Sequence, residues 1–180
     1  MVILACLAVG VVCGFINGVL VSWASIQPIV ATLVLMVAGR GVAQLVTGDF
    51  QVPITDPAFS FLGNGYIAGV PFAPILATAL YLAAWLWLRR SSTGLFIEAA
   101  GDNESASRFA GLATGRVKCL AYVVCGLTAA AAWGVASLVD ISADPFTAGQ
   151  NMELDAIFAV VVGGTSLGGG RFSLLGSYLG

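Results

Sequence analysis

Arg40 stands inside an otherwise apolar run, PIVATLVLMVAGRGVAQLVTG, flanked by Gly39 and Gly41. Gln44 follows four residues later, so on a helix the two side chains share one face and form a polar stripe. A charge at mid-membrane costs at least about 2.5–3.5 kcal/mol, so Arg40 is expected to pair or to line a cavity. The alternative is snorkelling to the nearer surface, about 12 Å away at 1.5 Å per residue. Glu153 and Asp155 stand where a later apolar segment begins. Paired carboxylates there suit a cation site or a proton relay. They suit equally the positive end of the helix that follows.

Thr165 and Ser166 lie within Gly163-Gly164-Thr165-Ser166-Leu167-Gly168-Gly169-Gly170. Their hydroxyls, with amides freed from the helix by the glycines, could hydrogen-bond a polar solute such as a sugar, or water alone. The run lacks the Gly-Lys-Ser/Thr ending of a phosphate loop and follows no strand, so nucleotide binding by this chain is rejected. ATP, if used, must be bound by another polypeptide. A final polar cluster is Gly101-Asp102-Asn103-Glu104-Ser105-Ala106-Ser107-Arg108-Phe109-Ala110-Gly111. It reads as a short helix, with Asp102 or Asn103 as N-cap and Gly111 as its stop. So short a helix is unstable alone in water and needs a partner. A solvated linker is the alternative.

The background of these residues decides the class. Of 180 residues, 59% are hydrophobic and 9% charged, and mean hydropathy is +0.98. Soluble domains carry about 25% charged residues. The chain is therefore an integral membrane protein of the all-α class, a polytopic bundle of transmembrane helices. A net charge of −2 excludes a nucleic-acid partner that must be held by basic stripes. The absence of histidine removes the usual residue of zinc-hydroxide and nucleophile-triad chemistry, so neither a catalytic nor a metal site is expected and the chain is not read as an enzyme. Cys6, Cys13, Cys119 and Cys125 lie in apolar runs without a Cys-x-x-Cys pair and read as small hydrophobes.

About 20 apolar residues cross the hydrocarbon core. Spans are expected at about 1–23, 28–48, 66–88 and 119–139. Gly10, Gly14 and Gly18 form overlapping Gly-x-x-x-Gly steps that let helices pack closely. Pro28 fits the first turn of the second span. Tyr66 at one end of the third span, and Trp85 and Trp87 at the other, make an aromatic belt. Residues 154–180 are apolar but interrupted by glycine; Ala156 to Val162 would rise only about 10 Å, so a broken or re-entrant helix is expected. Residues 89–118 hold Arg89, Arg90, Arg108, Arg116 and Lys118, five of the seven basic residues. This loop is therefore cytoplasmic, and the loop at 49–65, with no basic residue, lies outside. The sequence starts within one apolar span and stops within another, as an internal fragment of a longer chain would.

Gln27-Pro28-Ile29-Val30-Ala31-Thr32-Leu33 with Ala38-Gly39-Arg40-Gly41 resembles permease subunits of bacterial sugar ABC importers of the ribose type. So do Gly101-x-Asn103-x-x-Ala106-x-x-x-x-Gly111, and Glu153-Leu154-Asp155-Ala156-Ile157 leading to Gly163-Gly164-Thr165-Ser166-Leu167-x-Gly169-Gly170-Arg171. The run from Val34 to Leu45, with Phe96-Ile97-Glu98-Ala99, is most similar to the galactofuranose permeases. The resemblance implies a multi-pass protein of the bacterial inner membrane that imports a monosaccharide. It implies that the 89–118 loop carries a helix coupling to a cytoplasmic ABC ATPase, through Gly101, Asn103, Glu104, Ala106 and Gly111. It also implies a second permease subunit, identical or paralogous, a periplasmic sugar-binding protein, and a path near Arg40, Gln44, Glu153, Thr165 and Ser166. Ser107 and Phe172 depart from the residues common in that family. A secondary transporter or channel, or a non-functional remnant, is the competing reading. No Asp or Glu lies inside the first four spans, which disfavours an ion-driven carrier.

Overall fold

A computed structural model describes residues 2–48, 50, 52–53, 66–67, 70–139, 142–143, 149, 151–165 and 174–179. Helices dominate them. The uncharged first run forms α1, Val2–Ser22. Its last turn closes through the Trp23 amide on Val19 and the Ile26 amide on Leu20, and Ser25 turns the chain with φ +53°. Pro28 then opens α2, Pro28–Thr47, where a missing N–H is no loss. Gly48, with φ +61°, ends α2 by donating its amide to the Gln44 carbonyl.

Short antiparallel clasps follow. β1, Val52–Pro53, pairs with β4, Ser142–Ala143, and β2, Tyr66–Ile67, pairs with β3, Val70–Pro71. The third apolar segment is therefore not helical from residue 66. It becomes helical only at α3, Phe72–Arg90. The shift has a local cause: proline fits a first helical turn but not an interior, and Pro71 and Pro74 pin the start between them. The nineteen residues of α3 rise about 28 Å, close to the thickness of the hydrocarbon core.

The basic stretch 89–118 is more ordered than a loop. α4 is Ser92–Asp102, α5 is Glu104–Phe109, and α6 starts at Thr114 and continues to Val139. Near the C-terminus come α7, Met152–Val162, and α8, Leu174–Leu179. Among the described residues, Ile3–Ser22, Pro28–Thr47 and Thr114–Trp133 are long and apolar enough to cross a membrane.

The chain divides into two units. The first comprises Met1–Tyr81 and Cys119–Ala148. Within it α1 and α6 run antiparallel and meet along the glycine stripe. A Cβ on Gly14 would stand 2.5 Å from the Tyr122 carbonyl oxygen, and one on Gly18 would stand 2.9 Å from the Cys119 Cα. Gly10 faces Gly126 and Ala130 in the same way. Ala31, on α2, is buried. Large apolar side chains point outward instead, Leu45 and Val46 at more than four-fifths exposure, as expected where hydrocarbon rather than water is the solvent. Cys119 is buried, whereas Cys6 and Cys125 are exposed on the spans; all four cysteines are free.

The second unit comprises Leu82–Lys118 and Gly149–Gly180. Here α7 ends after eleven residues, about 16 Å of rise and half a bilayer core. Gly163 touches Gly176, and a Cβ there would lie 2.5 Å from the Ser177 amide nitrogen, so α8 lies directly against the end of α7. Among the described residues, α7 and α8 are thus two short helices whose ends contact each other.

Candidate functional site

Asn103 is the pivot of the polar stretch 101–111. Its own amide donates to the Ala99 carbonyl and closes α4. Its side-chain Oδ1 accepts from the Ala106 amide at 3.0 Å and opens α5. One residue therefore ends one helix and begins the next, with φ −152° and ψ 102°. The sequence suggests one short helix across 101–111; Gly101 and Asp102 in fact complete the last turn of α4, and α5 itself is Glu104–Phe109.

The far end of α5 is tied as firmly. Gly111 adopts φ +85°, donates to the Arg108 carbonyl at 3.1 Å, and lets the Leu112 amide reach the Ser107 carbonyl at 3.0 Å. This pair of bonds is a Schellman ending, which favours glycine at the left-handed position. Ser107 is buried at 7% exposure, and its hydroxyl donates to the Ala99 carbonyl at 2.8 Å. Glu104 pairs with Lys118 of α6 at 2.6 Å. Both partners are partly exposed, so the pair contributes about 0–1 kcal/mol and acts more as a guide than as a brace.

Against this frame Phe109 points outward at 93% exposure. It is a large aromatic side chain left almost wholly uncovered at the end of a locked helix. Ala106, Glu104, Gly101 and Gly111 are also exposed around it. Residue type alone does not single out Phe109, Ser107 or Lys118. Lys118, four residues into α6, was countable only as loop charge, and the fold of Ser107 onto Ala99 spans eight residues and leaves no local signal.

The remaining candidates fall in different places. Arg40 and Gln44 lie on α2 in the first unit, both partly exposed, and among the described residues no carboxylate stands within ion-pair distance of Arg40. A Cβ on Gly39 or Gly41 would meet nothing within 4 Å, so the helix is open on both sides of Arg40. Glu153 and Asp155 belong to the second unit and sit exposed in the first turn of α7. Asn151 enters that helix with φ +68° and makes no side-chain cap, which leaves the first-turn acids to offset the exposed amides. Among the described residues no cluster of three or more His, Cys, Asp or Glu could hold a metal ion.

Thr165 differs from the expectation of free amides. Gly164, with φ +81°, donates to Val161 at 3.0 Å, and the Thr165 amide donates to Val160 at 3.1 Å. The break is another Schellman ending, so those amides are satisfied within the chain. The Thr165 hydroxyl lies 3.4 Å from that of Ser177 on α8. Ser166 lies outside the described residues.

Comparison with known proteins agrees over the whole length. The family model described as branched-chain amino acid transport system / permease component matches residues 1–180. The chain is 47% identical over 180 residues to the galactofuranose transporter permease protein YtfT of Escherichia coli K12, covering 99% of this chain and 52% of the relative. It is 39% identical over 182 residues to the fructose import permease protein FruF of Bifidobacterium longum, covering 99% and 51%. It is 39% identical over 180 residues to the ribose import permease protein RbsC of Escherichia coli K12, covering 98% and 56%. The chain thus spans about half the length of the curated relatives it matches. No solved structure matches it significantly.

Proposed function

The chain belongs to the branched-chain amino acid transport system / permease component family, and from that premise we propose that it is membrane-embedded machinery of an ABC importer for a monosaccharide. The family description speaks of amino acids, but the relatives cited above are named for galactofuranose, fructose and ribose. The sugar reading rests on those names. The importer lies in the bacterial inner membrane, with the cytoplasmic side marked by the basic residues of 89–118.

One observation carries the mechanism: α5 is capped by Asn103, stopped by Gly111, stitched to α4 by Ser107, and presents Phe109 outward. In this reading Phe109 and the surrounding Gly101, Asn103, Glu104, Ala106 and Gly111 dock on a separate cytoplasmic ATPase, which binds the ATP. Burying the phenyl ring supplies about 1.5–3 kcal/mol to that contact. Displacement of α5 on ATP-driven closure passes to α4 through Ser107 and to α6 through Glu104 and Lys118. The chain itself performs no catalysis and needs no cofactor of its own.

The path for the sugar runs past polar groups in the spans. Arg40 and Gln44 supply donors and an acceptor for hydroxyls on α2, and Glu153, Thr165 and Ser166 do so at the broken segment. A second permease subunit, identical or paralogous, completes the path, and a periplasmic binding protein delivers the sugar. The test is affinity purification of the tagged chain from native membranes, with mass spectrometry of everything bound. An ABC ATPase lost on Phe109→Ala supports the reading. A chain that carries no ATPase after gentle extraction overturns it in favour of an ATP-independent transporter or a remnant.

A further inference from the structure

We propose that the cytoplasmic end of α3, with the first turns of α4 folded beside it, binds the headgroup of an anionic phospholipid. α3 ends in Leu86-Trp87-Leu88-Arg89-Arg90. The Arg89 guanidinium carbon sits 4.9 Å from the centroid of the Trp85 ring, which holds the cation in place at the surface. Arg90 is exposed beside it, and among the described residues neither arginine has a carboxylate within ion-pair distance.

A single residue, Ser91, separates α3 from α4. Gly94 is buried against the Leu88 carbonyl, so the first turn of α4 lies alongside the last turn of α3. Leu95 and Phe96, both exposed, follow Gly94 directly, and Trp87, exposed as well, precedes Leu88. Two cations and exposed apolar and aromatic side chains therefore gather around the junction at the end of a membrane-length helix. This pairing matches a phospholipid, which joins phosphate to acyl chain. Guanidinium groups bind phosphate oxygens through paired hydrogen bonds.

The sign of charge selects the lipid. The excess of Lys and Arg in 89–118 puts this end in the cytoplasmic leaflet, where anionic lipid attracts basic residues at the surface. Further along α4, Glu98 and Asp102 line a shallow cavity with Leu95 and Ala99, and their carboxylates repel an anion there. The headgroup is thereby confined to Arg89 and Arg90. The site requires only that the chain lie in a membrane, so it stands or falls independently of the importer reading.

The test is native mass spectrometry of the full chain released from nanodiscs of phosphatidylcholine with a minor fraction of phosphatidylglycerol. Phosphatidylglycerol is expected to be enriched among retained lipids relative to its share of the bilayer. Each of Arg89→Gln and Arg90→Gln should lower that enrichment roughly fivefold, whereas Arg108→Gln, the same charge lost from α5, should leave it unchanged. Where either variant fails to insert, Trp85→Leu keeps both charges and removes the ring. A two- to fivefold lower enrichment then supports the site, and unchanged enrichment overturns it. The proposal also falls if phosphatidylglycerol is retained only at its bulk share. Equal loss in Arg108→Gln, displacement by inorganic phosphate, or a bound protein in place of lipid overturns it as well.

Discussion

The hydroxyl of Ser107 donates to the carbonyl of Ala99 across the bend between α4 and α5, at 2.8 Å, from a side chain only 7% exposed. The Ala99 carbonyl also accepts from the Asn103 amide at 3.2 Å, so removal of the hydroxyl leaves it bonded. Ser107→Ala therefore loses one hydrogen bond without creating a buried orphan, a loss of about 1 kcal/mol. The chain should insert and fold normally. Amide exchange in Glu104–Phe109 should quicken about fivefold relative to α1, and sugar carried per ATP hydrolysed should fall while ATPase binding persists.

Phe109 tests the docking surface from the other direction. At 93% exposure it contributes almost nothing to the fold, so Phe109→Ala should leave thermal stability within about 0.5 kcal/mol of the parent. Affinity for the ATPase should fall by about 30-fold, the loss expected for an aromatic anchor worth 2 kcal/mol. Titration of the purified ATPase against the chain in nanodiscs measures it directly. Equal loss of stability and affinity would mean that Phe109 packs within the chain instead.

Much of this arrangement is legible in the residues. Pro28, Gly48, Asn103 and Gly111 act at helix boundaries through rules local to a few residues. Gly10, Gly14 and Gly18 announce a close helix contact, though not that α6 supplies it, because the partner glycine, Gly126, lies more than a hundred residues away. α4 stays hidden because its apolar residues, Leu95, Phe96 and Ile97, fall together rather than at helical spacing, and its cap, Ser91, sits inside a run of polar residues. The start of α3 is obscured by hydropathy. Residues 66–71 are apolar enough to continue a span, and only Pro71 and Pro74 mark the start of the helix between them. For the path, types and spacing single out Arg40 and Gln44, but the satisfied amides at Gly164 and Thr165 follow from backbone geometry that residue type does not encode.

Gly111 separates conformational from steric effects. A Cβ there would meet nothing within 4 Å, yet φ is +85°. Substitution therefore acts only through the backbone, at about 1–2 kcal/mol for an ordinary L-residue and more for a β-branched one. Gly111→Asn, which tolerates the left-handed region, should keep most sugar uptake. Gly111→Val should release the Leu112 and Gly111 bonds, loosen α5, and reduce uptake severely at unchanged membrane content. Uptake assays with quantified membrane protein distinguish the two variants, and equal uptake in both would count against coupling through α5.

Gly14 and Gly39 offer a paired test of the membrane packing. Both are helical glycines in apolar spans, so helix propensity alone predicts that alanine stabilises each by roughly 0.8–1 kcal/mol. Their surroundings differ. A Cβ on Gly14 would stand 2.5 Å from the Tyr122 carbonyl oxygen, which belongs to the backbone of α6 and cannot rotate away. A Cβ on Gly39 meets nothing within 4 Å. Gly14→Ala must force α1 and α6 apart, at a cost of about 1–3 kcal/mol that outweighs the propensity gain. Gly39→Ala should raise the melting temperature in detergent or leave it unchanged, whereas Gly14→Ala should lower it, and Gly126→Ala should do the same because its Cβ would enter the same contact against Gly10 and Gly14. Equal melting of all the variants would mean that α1 and α6 do not meet along the glycine stripe.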